Sequence, residues 1–128
     1  MTAIALDTNR YVDFMKGVPE AVERVRRSER VCLPIVTLAE LRAGFLCGRR
    51  SEENERQLIR FLNSPAVEVL YPDETTTHQY ARLFRQLRHQ GTPIPTNDIW
   101  VAALVLQHNL ILFARDAHFD RLPQIPRV

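Results

Sequence analysis

Four carboxylates stand in this sequence where solvent is not the expected neighbour. Asp7 closes the apolar run Ala3–Leu6, Asp116 lies just beyond the run Leu110–Phe113, and Asp98 opens the apolar segment Asn97–Gln107. Glu40 sits inside Ile35–Cys47, one turn from Val36, Ala43 and Gly44, where an ionised carboxylate is costly to desolvate. Each has a plain structural explanation. Asp98 serves equally well as a first-turn acid facing the positive end of a helix. Asp7 and Asp116 serve as turn residues bonded to their own backbone, and Glu40 as the partner of an arginine such as Arg42 or Arg115. Taken together they suggest more. Two carboxylates about 5 Å apart repel by about 3 kcal/mol at an effective dielectric of about 20. Four in one notch therefore stay ionised only with cations between them. Carboxylate oxygens without His or Cys suit Mg²⁺ or Mn²⁺ better than Zn²⁺. A pair of such ions is the clamp used for in-line phosphodiester hydrolysis. The chemistry expected of Asp7, Glu40, Asp98 and Asp116 is metal-dependent cleavage of a nucleic acid, with arginine-rich helices holding its backbone.

Such a notch needs elements that bring distant acids together. Prolines at 19, 34, 65, 72, 93, 95, 123 and 126 divide the chain into periodic segments. Ala3–Leu6, Val31–Leu33, Val67–Leu70 and Leu110–Phe113 read as strands, and Ile125–Val128 as a fifth. Between them fall helices: Asn9–Lys16, one opened by Pro19, a mostly buried Ile35–Cys47, one capped by Ser51, Asp73–His89, and a central Asn97–Gln107. In Asp73–His89 the residues Tyr80, Leu83, Phe84 and Leu87 form the expected inner face, with Arg82, Arg85 and Arg88 outside. Strands separated by helices imply parallel pairing with right-handed crossovers, hence one layered α/β domain over residues 1–128 with a sheet of four to five strands. In such a sheet the C-terminal strand ends and the adjoining helix starts converge on one crevice, which is where all four acids fall.

Composition narrows the field further. A 128-residue chain with 45% hydrophobic and 25% charged residues can build one globular core without a disulfide scaffold. Cys32 and Cys47 form no CxxC and read as small core hydrophobes of a reduced compartment. There is no GxxxxGK[ST], GxGxxG or GxSxG, so phosphate-cradling loops and a nucleophile elbow are excluded. The longest apolar run, Ile99–Leu106, is too short to span a bilayer, and MTAIALDTNR lacks the basic and apolar regions of an export signal. A cytoplasmic protein with no membrane association is the expectation. Sixteen of the 17 basic residues are Arg, and the net charge of +2 permits a polyanionic partner without requiring one.

With these residues in view, the sequence resembles the PIN-domain nucleases, and within them the VapC-type toxins of toxin–antitoxin pairs. Asp7-Thr8-Asn9 resembles the family's opening DTN, and Glu40-Leu41 followed by Gly44 its ELxxG helix. Asn97-Asp98-Ile99-Trp100-Val101-Ala102-Ala103 resembles NDxWIAA, and Arg115-Asp116-Ala117-His118-Phe119 resembles the closing RDxHF. The resemblance runs over nearly the whole chain. It implies a three-layer PIN-like domain and a magnesium-dependent endoribonuclease (Mn²⁺ a substitute) whose metal site is Asp7, Glu40, Asp98 and Asp116. Asp7 and Asp98 would bind metal directly, Glu40 and Asp116 directly or through water, and cleavage would leave a 5′-phosphate and a 3′-hydroxyl. Thr8 and Asn9 would orient Asp7 or touch the scissile phosphate, and Asn97 would do the same for Asp98 or simply cap its helix. The resemblance also implies a homodimer and an antitoxin protein, for which a groove lined by Phe14, Met15 and Phe45 is the expected seat. Ala114 departs from the family, which often carries Thr or Ser there.

Other classes fit less well. A phosphorylated receiver domain wants an acid beside the first-strand Asp, an Asp closing the third strand and a Lys near the last; here the third strand runs into Tyr71-Pro72 and the only Lys is Lys16. A haloacid-dehalogenase-like phosphatase with Asp7 as nucleophile wants an acid at position 9, which is Asn. A PIN-like module that binds RNA or a partner without catalysis is the remaining alternative. Asp120 reads as a solvated loop acid in preference to an aid to Asp116, His118 as packing for the last loop in preference to a base, Trp100 as core, and His78 and His89 as solvated surface in preference to RNA contacts.

Overall fold

Pairing of the apolar runs accounts for the centre of the molecule. A computed structural model describes residues 2–128. Its strands are β1 (Ala3–Leu6), β2 (Arg30–Pro34), β3 (Val67–Leu70) and β4 (Ile111–Phe113), all parallel, in the order β3-β2-β1-β4. The helices are α1 (Thr8–Met15), α2 (Pro19–Arg27), α3 (Ile35–Cys47), α4 (Ser51–Leu62), α5 (Glu74–Gln90) and α6 (Thr96–Gln107), with a 3₁₀ turn at Ala117–Arg121. The fold is the expected α/β architecture, with four strands. The expected fifth strand is a single bridge between Leu112 and Arg127, because the two prolines at 123 and 126 deny that segment a longer ladder.

Alternation along β1 sends Ile4 and Leu6 to one face and Ala5 to the other, so helices cover both sides. On one side α5 and α6 pack through Leu83, Leu87, Ile99 and Val101–Val105; on the other α1–α4 pack through Tyr11, Leu38, Leu41, Leu58 and Phe61. α6 is the central helix expected of an all-round apolar segment. α5 begins at a capping box: Asp73 accepts from the Thr76 N–H while the Thr76 hydroxyl accepts from the Asp73 N–H. It stops at Gly91, whose φ of 70° is the left-handed conformation that closes a helix.

Several local expectations change. Ser51 is the first residue of α4 and not its cap, a place held by Arg50. Phe84 is 45% exposed because it lies at the edge of the α5 inner face, stacked on Tyr80. Trp100 is half-buried, its ring 4.4 Å from that of Tyr80. α3 buries only Thr37, Leu38 and Leu41; Leu46 is 79% exposed and Cys47 lies on the surface, while Cys32 is in the core. No helix among the described residues is long and apolar enough to cross a membrane.

Candidate active site

The four acids reach one edge of the sheet by different routes. Asp7 follows β1 directly, and its N–H donates to the Phe113 carbonyl at 3.2 Å, a final rung that fixes it beside the end of β4. Three residues past β4, Asp116 opens the 3₁₀ turn and accepts from the His118 N–H at 2.9 Å. Asp98 lies in the first turn of α6, its N–H bonded to the Pro95 carbonyl, so its carboxylate faces the helix's positive end. Glu40 is in the second turn of α3, which leaves β2 without a loop. β1 lies between β2 and β4 in the sheet although β2 follows it in the chain, so α3 and α6 cover opposite faces at this switch of direction.

Charge shows the proximity. Asp7, 6% exposed, is pushed up to about 6, first by burial and then by the negative charges of Asp98, Glu40 and Asp116; the Thr8 amide beside it works the other way. Asp98 is also raised, again mainly by burial, with Asp116 and Glu40 adding to the effect and His118 opposing it. Asp7 and Asp98 therefore each feel the charges of Glu40 and Asp116. Glu40 differs from expectation in one respect: it is exposed, and its carboxylate accepts from the Thr8 hydroxyl at 3.0 Å rather than from an arginine. The Thr8 hydroxyl is thus turned to Glu40, while its amide faces Asp7. The arginines proposed for Glu40 are engaged elsewhere, Arg42 with Glu55 at 2.8 Å and Arg115 with Asp13 at 2.9 Å.

His118 belongs to this group, contrary to a loop-packing role. Its Nδ1 lies 2.8 Å from Asp98 Oδ2 and 3.1 Å from Asp116 Oδ1, and since ionised carboxylates only accept, Nδ1 carries the hydrogen. Ligating atoms of Asp98, Asp116 and His118 all lie within 4.8 Å of one another, a spacing that fits one cation. The sequence signal was the Asp-x-His spacing, since an Asp that caps a tight turn returns the second residue after it to its own carboxylate. Phe119, next to it, supplies the packing, buried to 1% exposure.

The surroundings hold the notch in place. Arg115 forks onto Asp13 through Nε and Nη2 at 2.9 and 3.1 Å, tying the segment after β4 to α1. Arg127 donates to the carbonyls of Ala114 and Asp116 at 3.1 and 3.2 Å and pairs with Asp120, which is otherwise exposed. Asn9 and Asn97 are exposed at the rim. The donor set of four carboxylates, short of balancing cations, fits a hard divalent metal ion.

Comparison with known proteins agrees with this geometry. Residues 4–125 match the PIN domain family. The ribonuclease VapC1 of Haemophilus influenzae strain R2866 is 32% identical over 127 residues, covering 94% of this chain and 92% of its own. Among solved structures, VapBC-1 from nontypeable Haemophilus influenzae superposes with a TM-score of 0.86 at 30% identity, covering 99% of this chain and 97% of that one. VapBC-5 from Mycobacterium tuberculosis, a member of the VapBC family of toxin-antitoxin systems, gives 0.74 at 29% identity over the full length of both chains.

Proposed function

The chain belongs to the PIN-domain family, and from that premise we propose that it is a metal-dependent endoribonuclease of the VapC type, the toxin of a toxin–antitoxin pair. The observation that carries the proposal is the gathering of Asp7, Glu40, Asp98 and Asp116 at the C-terminal edge of the sheet, where burial first and the neighbouring acids second push Asp7 up to about 6. Asp7, Asp98 and Asp116 would hold a divalent ion, with Glu40 contributing directly or through water, and Mg²⁺ is the ion such oxygens favour. Bound there, the metal supplies positive charge to the scissile phosphate and lowers the pKa of the attacking water. The protein's own groups do the rest. The Thr8 hydroxyl fixes the Glu40 carboxylate, the His118 ring orients Asp98 against Asp116, and the Arg115–Asp13 fork holds the Asp116 segment against α1. Without such positioning, oxygen ligands would splay under their own repulsion.

An antitoxin segment would lie on the α1–α3–α4 surface. Met15 and Phe45 share a cleft of about 340 Å³ there with Tyr11, Val12 and Gln57, while Phe14 lines the neighbouring cleft of about 560 Å³ against Phe61. The apolar residues that α3 leaves exposed, Leu46 above all, are the kind of surface a homodimer or an antitoxin would cover. The test is cleavage of RNA by the purified protein with Mg²⁺ or EDTA, beside Asp7→Ala and Asp98→Asn. Products that form with Mg²⁺, disappear with EDTA and are absent from both variants support the nuclease; cleavage unchanged in both variants, or no cleavage by wild type, favours the non-catalytic binding module.

A further inference from the structure

We propose that the outer face of α5 is a binding track for the phosphate backbone of single-stranded RNA, an inference that rests on the ribonuclease reading and extends it beyond the acidic notch. His78, Arg82, Arg85 and His89 recur at four, three and four residues, all exposed, and so form one stripe about 16 Å long. Charge is concentrated there. α5 carries three arginines against one acid, Glu74 in its first turn, which leaves fourteen basic and fourteen acidic side chains for the rest of the chain. The residues of α5 itself thus carry a net charge of +2, or +1 with the cap Asp73.

These cations are also free. Among the described residues, none of the ion pairs involves Arg82, Arg85 or Arg88, which is also true of Arg24, Arg26, Arg49, Arg56, Arg60 and Arg121, whereas Arg10, Arg27, Arg30, Arg42, Arg50, Arg115 and Arg127 are paired with carboxylates. Arg82, Arg85, Gln86 and His89 line a shallow cleft of about 360 Å³, ample for a phosphate group. Two guanidinium forks set one turn apart suit phosphate oxygens, and flanking imidazoles offer flat faces to unstacked bases. Arg88 projects from the opposite edge and is not part of the stripe.

The track is joined to the notch. Gln86, on the edge of the stripe, exchanges amide hydrogen bonds with Gln124 at 2.6 and 3.2 Å. Gln90 Nε2 donates to the Arg121 carbonyl at 3.0 Å, and Arg121 donates to the Pro93 carbonyl at 2.6 Å. The C-terminal turn of α5 is thus bonded to the 3₁₀ turn that carries His118 and follows Asp116.

The test uses full-length protein in EDTA and a fluorescein-labelled 20-nucleotide oligouridylate, read by anisotropy across a salt series. The double variant Arg82→Ala/Arg85→Ala is expected to bind at least tenfold more weakly, with a salt slope smaller by about 1.4, two phosphate contacts at about 0.7 each. Arg49→Ala/Arg56→Ala, equal in charge and remote from α5, should keep the wild-type affinity and slope. With Mg²⁺ the α5 variant should show a raised KM and an unchanged kcat. Equal weakening by both double variants overturns the proposal, since only net charge would then matter. Unchanged RNA affinity also overturns it, and if self-association is lost instead, the stripe is a protein-docking face. RNA binding that depends on Arg82 and Arg85 in a protein that never cleaves RNA supports the track and sinks the nuclease reading.

Discussion

Replacing Asp7 by Asn should stabilise the metal-free protein, the opposite of what removing a buried hydrogen-bonding group usually does. The carboxylate sits at about 6 in the fold against 3.8 for an ordinary Asp, so its ionised form is disfavoured there by about 3 kcal/mol at neutral pH. The sign follows from proton uptake. Between those two values the folded state binds more protons than the unfolded one, so metal-free stability falls as pH rises from about 4 to 6 and then levels off. Asn removes the charge, and its amide oxygen still faces the Thr8 N–H. Asp7→Asn should therefore exceed wild type by about 3 kcal/mol at pH 7.5, which is about 10 °C in Tm for a domain of this size, and the gain should vanish near pH 3.5. Asp98, itself raised mainly by burial, remains and keeps its own share of the pH dependence. Calorimetry in EDTA at several pH values measures the difference. Excess Mg²⁺ should shrink or reverse it, because the cation stabilises the native state that retains Asp7. Asp7→Asn no more stable than wild type at pH 7.5 in EDTA would refute the reasoning, as would a gain independent of pH.

Other substitutions probe the remaining parts. Asp116→Asn should lower RNA cleavage at least 100-fold at saturating Mg²⁺ while leaving the far-ultraviolet circular dichroism unchanged, as expected of a group that holds metal and not fold. Thr8→Val removes the hydroxyl that holds Glu40 and should raise the Mg²⁺ concentration for half-maximal cleavage about tenfold, read from a metal titration. Asp13→Ala leaves Arg115 and the largely buried Arg10 without their common partner and should cost about 2 kcal/mol in urea unfolding at pH 7. Arg115 and Arg10 hold Asp13 below its ordinary 3.8, so its contribution is fully present above that value and is lost as pH falls beneath it.

Much of the site was legible because chemistry made it anomalous: Asp7, Asp98 and Asp116 are charges at the ends of apolar runs, and parallel α/β topology sends those ends to one edge. The strands and helices were legible because their periods differ, and Pro and Gly mark their limits. Glu40 was found for a reason that fails. Apolar composition suggested burial of α3, but the helix buries only Thr37, Leu38 and Leu41, and most of it, Glu40 included, lies at the surface. His118 was missed because a five-residue 3₁₀ turn is too short for periodicity to reveal. Ion pairing between Asp13 and Arg115, 102 residues apart, has no local signature at all.

These engagements explain how a basic protein keeps an acidic notch. Arg115 is adjacent to Asp116 in sequence, and a free guanidinium there could neutralise the site without metal. Asp13 takes it instead, with a two-pronged bond. Arg42, two residues from Glu40, is taken in the same way by Glu55. Net positive charge is left on α5, which is hydrogen-bonded to the turn after Asp116 but lies outside the notch. A polyanion then meets attraction along the helix and repulsion at the acids until a cation intervenes, so binding and cleavage depend on different charges. Salt should consequently weaken RNA binding in EDTA, whereas metal removal should abolish turnover with the α5 contribution to affinity intact.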